Sequence, residues 1–417
     1  MDLERRPDVN YFFRHDLNRV YGSERSLINM VNNFNANWHL ISPHSFPSGI
    51  EATHRQTRRI QIPTTSSAIP HPADLIQVID EIKQHSPDFL LFDQPGPYEL
   101  TFFLALPPNL RLRSVAFWRS HVNIAHERPL NQPVKNFLRD HRLWPNWEPI
   151  YRYFGNHVKL NLVESISVEK SLRQIGVRNP IATVPAAIGR EFSPELRFKS
   201  EPPIREKYLD QDEIGVLVVG RVSPEKGLDW VLDMYKDLRL RKELPAVDSL
   251  YKRINITIVG GANSVYERYR QNLQDQSYII TRDTNHETLV DRVRLIWAGE
   301  KSWKELQEYY AAFDIFCMFP PKEGFGRVTI EAMQSGLTVI GRAKSQTTRE
   351  LLSKRDYPVG ILVNSPQQAA NEIISLMHDV DRLDRLQANA VVYALTEYTM
   401  EKAEASFWNA LNSINSS

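Results

Sequence analysis

At 417 residues, with 42% apolar and 24% charged side chains, the chain has the composition of a soluble globular protein long enough for two domains. A formal net charge of +1 excludes a protein that holds nucleic acid through bulk charge, and the single cysteine, Cys317, excludes an intramolecular disulfide. No apolar run approaches the ~20 residues of a membrane helix. Met1 to Arg14 lacks the apolar core of a secretory signal, so a cytoplasmic location is expected.

Val9 to Phe13 reads as a first strand, followed by a polar loop and then Leu27, Met30, Val31 and Phe34 at helical spacing. Trp38 to Ile41 gives a second strand. A Ser/Thr/Pro/Arg-rich excursion over residues 45–72 surrounds a short strand at Arg59 to Ile62. A helix from Pro72 to His85 precedes buried strands at Pro87 to Phe92 and Arg113 to Trp118, and short strands at Val158 to Val163 and Ile181 to Val184 close the first half. Residues 134–159 interleave Lys, Arg and His with Phe137, Trp144, Trp147, Tyr151, Tyr153 and Phe154. That pattern fits either helix packing or a face that meets a membrane surface.

Gly189 to Gln211 is irregular, charged and Pro-containing, as a linker is. A second alternating region opens with the apolar run Ile214 to Val219, typical of an interior parallel strand. Asn255 to Val259, Val293 to Ile296, Phe313 to Phe319, Leu337 to Ile340 and Gly360 to Val363 supply further strands. Helices are expected over Leu228 to Arg239, Trp303 to Ala312 and Val328 to Gln334, with helical spacing through residues 384–417 anchored by Phe407 and Trp408. The pattern predicts an α/β protein of two doubly wound αβα domains facing across a cleft. Residues 1–188 form the first, 189–212 the linker and 213–395 the second, with a helix over 396–417 returning to the first.

The most informative stretch is Glu323-Gly324-Phe325-Gly326-Arg327-Val328-Thr329-Ile330-Glu331. A strand, a Gly-rich turn and a helix start make an anion-binding site, because free N–H groups and the positive helix end face the ligand. Glu323 before the helix and Glu331 within it can address one ligand, as holding a sugar on a diphosphate requires. Upstream, Gly220-Arg221-Val222-Ser223-Pro224-Glu225-Lys226-Gly227 follows a strand of the same expected sheet and opens a helix. Arg221 offers a planar fork to phosphate oxygens and Lys226 a compact charge. Taken alone, that loop reads slightly better as a solvated basic segment paired with Glu225; with the Glu323–Glu331 element on the same sheet, diphosphate binding is the better reading.

These residues resemble the donor domain of retaining GT-B glycosyltransferases, specifically the large family four. Gly220, Arg221, Lys226 and Gly227 match its first motif, and Glu323 to Gly326, Glu331 to Met333 and Gly336 its second, with the likeness covering roughly residues 213–380. In the first half, Gly22-Ser23-Glu24-Arg25 resembles the family's glycine loop and Trp118-Arg119-Ser120-His121 the segment with its active-site histidine. The resemblance implies that Arg221 and Lys226 hold the diphosphate, Glu331 the ribose hydroxyls and Glu323 the transferred sugar. It implies backbone N–H groups from Gly324, Phe325, Gly326 and Arg327, a close approach of the donor to Gly22, and His121 beside the anomeric carbon. His15, Asp16 and Arg119 are acceptor-side candidates. Where the family often has Gly-Gly before a Glu, this chain has Ser345 to Glu350, which leaves the donor's identity open between UDP-glucose and GDP-mannose types.

The expected reaction is transfer of a hexose from a nucleoside-diphosphate sugar to a sugar, glycan or lipid-linked acceptor, with no cofactor and no metal. Positive side chains do the metal's work, since no Asp-x-Asp stands at the relevant strand end. Peripheral membrane contact through residues 134–159 is the further partner expectation. The alternatives are another GT-B enzyme, such as a nucleotide-sugar epimerase, and a non-catalytic sugar-nucleotide-binding or scaffolding protein of the same fold. The Trp118 to His121 segment is similar to trehalose-forming transferases that use a soluble sugar acceptor.

Overall fold

A computed structural model describes residues 6–13, 22–42, 58–61, 72–120, 148–186, 188–189, 191–199, 203–241, 250–282, 292–353 and 357–415. The chain divides into two compact units, Met1–Ile188 with Met400–Ser417, and Gly189–Thr399.

The first unit is built on a parallel seven-stranded sheet: β1 (Asp8–Phe12), β2 (Asn37–Ser42), β3 (Arg58–Gln61), β4 (Phe89–Asp93), β5 (Ser114–Trp118), β6 (Leu160–Val163) and β7 (Ile181–Thr183). Their order is β3-β2-β1-β4-β5-β6-β7, so the winding reverses between β1 and β4. Strands buried on both faces explain the continuous apolar runs: all five residues of β4 and of β5 are buried. One face is covered by the Gly22–Asn33 helix and by the C-terminal helix Met400–Asn415. Ala403, Phe407 and Leu411 recur at helical spacing and are buried there, with the Phe407 ring 5.4 Å from Phe34 and 6.3 Å from Trp38. Each such large side chain contributes about 1.5–3 kcal/mol of burial. The helical tract expected over 384–417 is thus two helices, Val380–Glu397 and Met400–Asn415, and the unit boundary falls between them.

The second unit carries β8 (Glu213–Val219), β9 (Arg253–Val259), β10 (Val293–Gly299), β11 (Ile315–Met318), β12 (Thr338–Arg342) and β13 (Ile361–Val363). This sheet is parallel in the order β10-β9-β8-β11-β12-β13, so β8 and β11, the strands before the two motifs, are neighbours at its reversal point. Ligands bind at such a point, beyond the carboxyl ends of the strands. Residues 189–212, expected as a linker, pack as part of this unit. Arg197 and Arg205 both reach Asp314, at 2.5 and 2.7 Å, and the carboxylate also accepts from the Gly215 N–H. The charges that read as linker polarity are partners for a buried carboxylate.

Candidate active site

The two motifs meet at the carboxyl end of the second sheet. After β8 the chain turns through Gly227, held at φ +70°, where a Cβ would stand 2.2 Å from the Phe319 carbonyl oxygen. Only glycine lets the loop after β8 lie against the loop after β11. That approach brings the Lys226 ammonium 2.8 Å from the Glu323 carboxylate, across 97 positions of sequence. Gly326, at φ +82°, then starts the Arg327–Gln334 helix in a left-handed conformation. No side chain caps that helix start, and the Thr329 N–H donates to the Gly326 carbonyl at 2.9 Å.

Other predicted donor residues take defined places. Arg221 lies after β8 with its guanidinium 2.9 Å from Glu225 and its Cζ 5.9 Å from the Tyr266 ring centroid. Glu331 is buried and accepts from the Tyr310 hydroxyl at 3.3 Å, with Arg327 at 3.5 Å. Burial and the neighbouring Glu331 push the Tyr310 hydroxyl well above its usual range, so it remains a donor to that carboxylate. Gly324 donates to Glu323 at 3.2 Å, and Phe325 is buried edge-on against Tyr398. Cys317 is buried and its thiol is pushed up by desolvation, which makes it inert packing.

Two features of this site carry no legible signal in the sequence. The segment that departs from Gly-Gly folds as the Gln346–Leu352 helix, capped by Ser345, and its Thr347 hydroxyl donates to the carbonyls of Glu323 (2.6 Å) and Gly324 (3.1 Å). A side chain absent from glycine braces the turn that aims Glu323. Arg342, at the carboxyl end of β12, stacks its guanidinium 4.0 Å over the Trp230 ring and has no ion pair among the described residues. Burial holds its pKa below the usual range. A charged residue ending an apolar strand gives no hint of that stack.

In the first unit Arg119 also takes a defined place. Arg119 is buried, with its guanidinium on Asp93 (2.7 Å), Glu164 (2.7 Å), the Ser26 hydroxyl (2.9 Å) and the Tyr11 hydroxyl (2.8 Å). Burial opposes its charge, but Asp93, Tyr11 and Glu164 outweigh that and hold it ionised. Its donors reach Tyr11, Asp93 and Glu164, so it joins the ends of β1, β4, β5 and β6. Gly22 opens the Gly22–Asn33 helix. His15, Asp16 and His121 lie outside the described residues, as do residues 134–147. Asp210 and Asp212 stand at the opposite, amino end of β8, where both hold Arg253.

Residues 200–391 match the family described as Glycosyl transferases group 1, so the second unit carries a domain of that class. Both units together have the GT-B fold. Over 98% of this chain and 100% of the other, the structure resembles Anabaena Alr3699/HepE solved with UDP and glucose, at a TM-score of 0.71 and 16% identity. It likewise resembles sucrose-phosphate synthase from Thermosynechococcus elongatus, at 0.70 and 17% over 99% of this chain and 100% of that one. In sequence the chain is 24% identical to sulfoquinovosyl transferase SQD2 of Arabidopsis thaliana over 73% of its own length, but spans about half (52%) of that protein. It is 22% identical to trehalose synthase of Pyrococcus horikoshii over 78% of its length and 69% of the relative's.

Proposed function

We propose that this chain is a glycosyltransferase that moves a hexose from a nucleoside-diphosphate sugar to a sugar, glycan or lipid-linked acceptor, with retention and without a metal. The observation that supports this most is the Lys226–Glu323 pair, which sets a phosphate-binding cation beside a sugar-binding carboxylate at an uncapped helix start. Transfer passes through an oxocarbenium-like state while negative charge grows on the leaving diphosphate. Lys226, Arg221 and the N–H groups after Gly326 stabilise that charge, which is the main electrostatic demand. Glu323 positions the sugar and offsets the cationic ring, and Glu331 takes the ribose hydroxyls. The acceptor enters on the leaving-group face.

UDP-sugars lead as donors, because HepE was solved with UDP and with UDP-glucose. Acceptor recognition is assigned to residues 1–188, with His121, His15 and Asp16 as its candidates. A cytoplasmic location and peripheral membrane contact through residues 134–159 belong to the same proposal. No helix among the described residues is long and apolar enough to cross a membrane.

Thermal unfolding with UDP-, GDP- and ADP-sugars tests the donor site. One nucleotide class at 100-fold above its dissociation constant should stabilise the chain by about 2.7 kcal/mol. Glu331→Ala should erase most of that shift. Absence of a shift with all three classes would remove the donor-site reading and leave a non-catalytic protein of this fold.

A further inference from the structure

A cavity of about 440 Å³ opens in the first unit at the amino-end edge of its sheet, beside Lys159 where β6 begins. It lies on the edge opposite the one at which doubly wound domains bind their ligands. Phe103, Leu112 and Tyr153 form its apolar lining, and Arg111, His157 and Lys159 add positive or protonatable groups. No carboxylate lines it, and neither Arg111 nor Lys159 has an ion pair among the described residues. Arg111 donates from Nε to the Leu106 carbonyl at 2.7 Å, which fixes the stem while the rest of the fork has no carboxylate to hold. The His157 ring stacks on Tyr153 at 3.8 Å, with Nδ1 2.7 Å from the Tyr153 carbonyl, leaving Nε2 outside that bond.

Leu112 is 69% exposed and Tyr153 39% exposed, so apolar surface continues outward from the cavity. A concave site of this volume is of the size that takes a ligand (roughly 300–1,000 Å³). Cations with no ion pair among the described residues, set in an apolar wall, suit an anion carried on an apolar body. A soluble anion would satisfy Arg111 and Lys159 and leave Leu112 in water. A lipid in a membrane surface satisfies both, since basic side chains meet the headgroups while aromatic and aliphatic groups enter the interface.

We propose that this cavity receives the headgroup of an anionic phospholipid and seats the first unit on a membrane by this sheet edge. The inference rests on the membrane-contact part of the proposed function and is independent of donor chemistry.

The test is co-sedimentation of the full chain with phosphatidylcholine vesicles, with and without phosphatidylglycerol. The chain should pellet with the anionic vesicles and stay in solution with the neutral ones. Reversing two charges in Arg111→Glu/Lys159→Glu should weaken binding by roughly tenfold or more. Lys159→Glu and Leu112→Ser, made singly at partly exposed positions, should each weaken it with unchanged melting, which separates the site from misfolding. Failure to pellet, or equal pelleting by the variants, would overturn the proposal. So would stabilisation by glycerol 3-phosphate without vesicle binding, which would mark a soluble-anion site. The nucleotide-induced shift, read in parallel, should persist in every variant, so loss of lipid binding and loss of the donor site are told apart.

Discussion

Lys226→Ala is expected to lower the turnover of donor by about 10²–10³, the usual cost of deleting one group aimed at developing charge. The loss should appear in kcat at saturating donor, because the ammonium is needed most when the diphosphate departs. Its removal also takes the neutralising cation from Glu323, and a carboxylate without that cation would oppose both binding and departure of the diphosphate. Lys226→Arg should recover part of the rate, since the charge returns on a differently shaped head. Initial rates of nucleotide release with the acceptor, once found, check this. A kcat near that of the unaltered chain would exclude Lys226 from the chemistry.

The second large effect is on stability. Arg119→Met should destabilise the first unit by about 3–5 kcal/mol, because it strands Asp93 and Glu164 as buried carboxylates without their cation. Arg119→Lys should fall between the two, as an ammonium cannot reach four partners in one plane. Denaturant unfolding followed by tryptophan fluorescence reports this directly, since Trp118 adjoins the substituted residue and Trp38 lies in the same unit's core. A variant as stable as the parent, with only a raised KM for acceptor, would return Arg119 to the acceptor side.

The sheets were legible because burial on both faces writes itself as continuous apolar runs. Ile214 to Val219 and Phe89 to Phe92 could be little else, and Trp303–Ala312 appears in the structure with the bounds its periodicity predicts. The Glu267–Arg282 helix was not legible. Only Leu273 and Ser277 are buried along it, so no apolar stripe marks it. At the candidate site, residue types and spacings along the chain picked out two loops that the fold brings together. The contacts between loops did not follow from them: Lys226 on Glu323, Thr347 on the turn and Arg342 on Trp230 are all products of the winding order. The network around Arg119 was likewise not legible, because its partners lie 26, 45, 93 and 108 positions away.

The Lys226–Glu323 pair has a bearing on product release. At rest the cation and the carboxylate neutralise one another, so a ligand must divorce them to enter. Under the proposed function an intact donor would compensate both, giving phosphate oxygens to Lys226 and sugar hydroxyls to Glu323. The spent nucleoside diphosphate would compensate only the first and leave the carboxylate facing an anion. On that proposal the resting pair would act as a competitor that the product meets on worse terms than the substrate, and it would re-form as the sugar leaves. Dissociation constants should therefore favour donor over product in the parent chain, and Glu323→Gln should narrow that gap; an unchanged ratio would refute the idea.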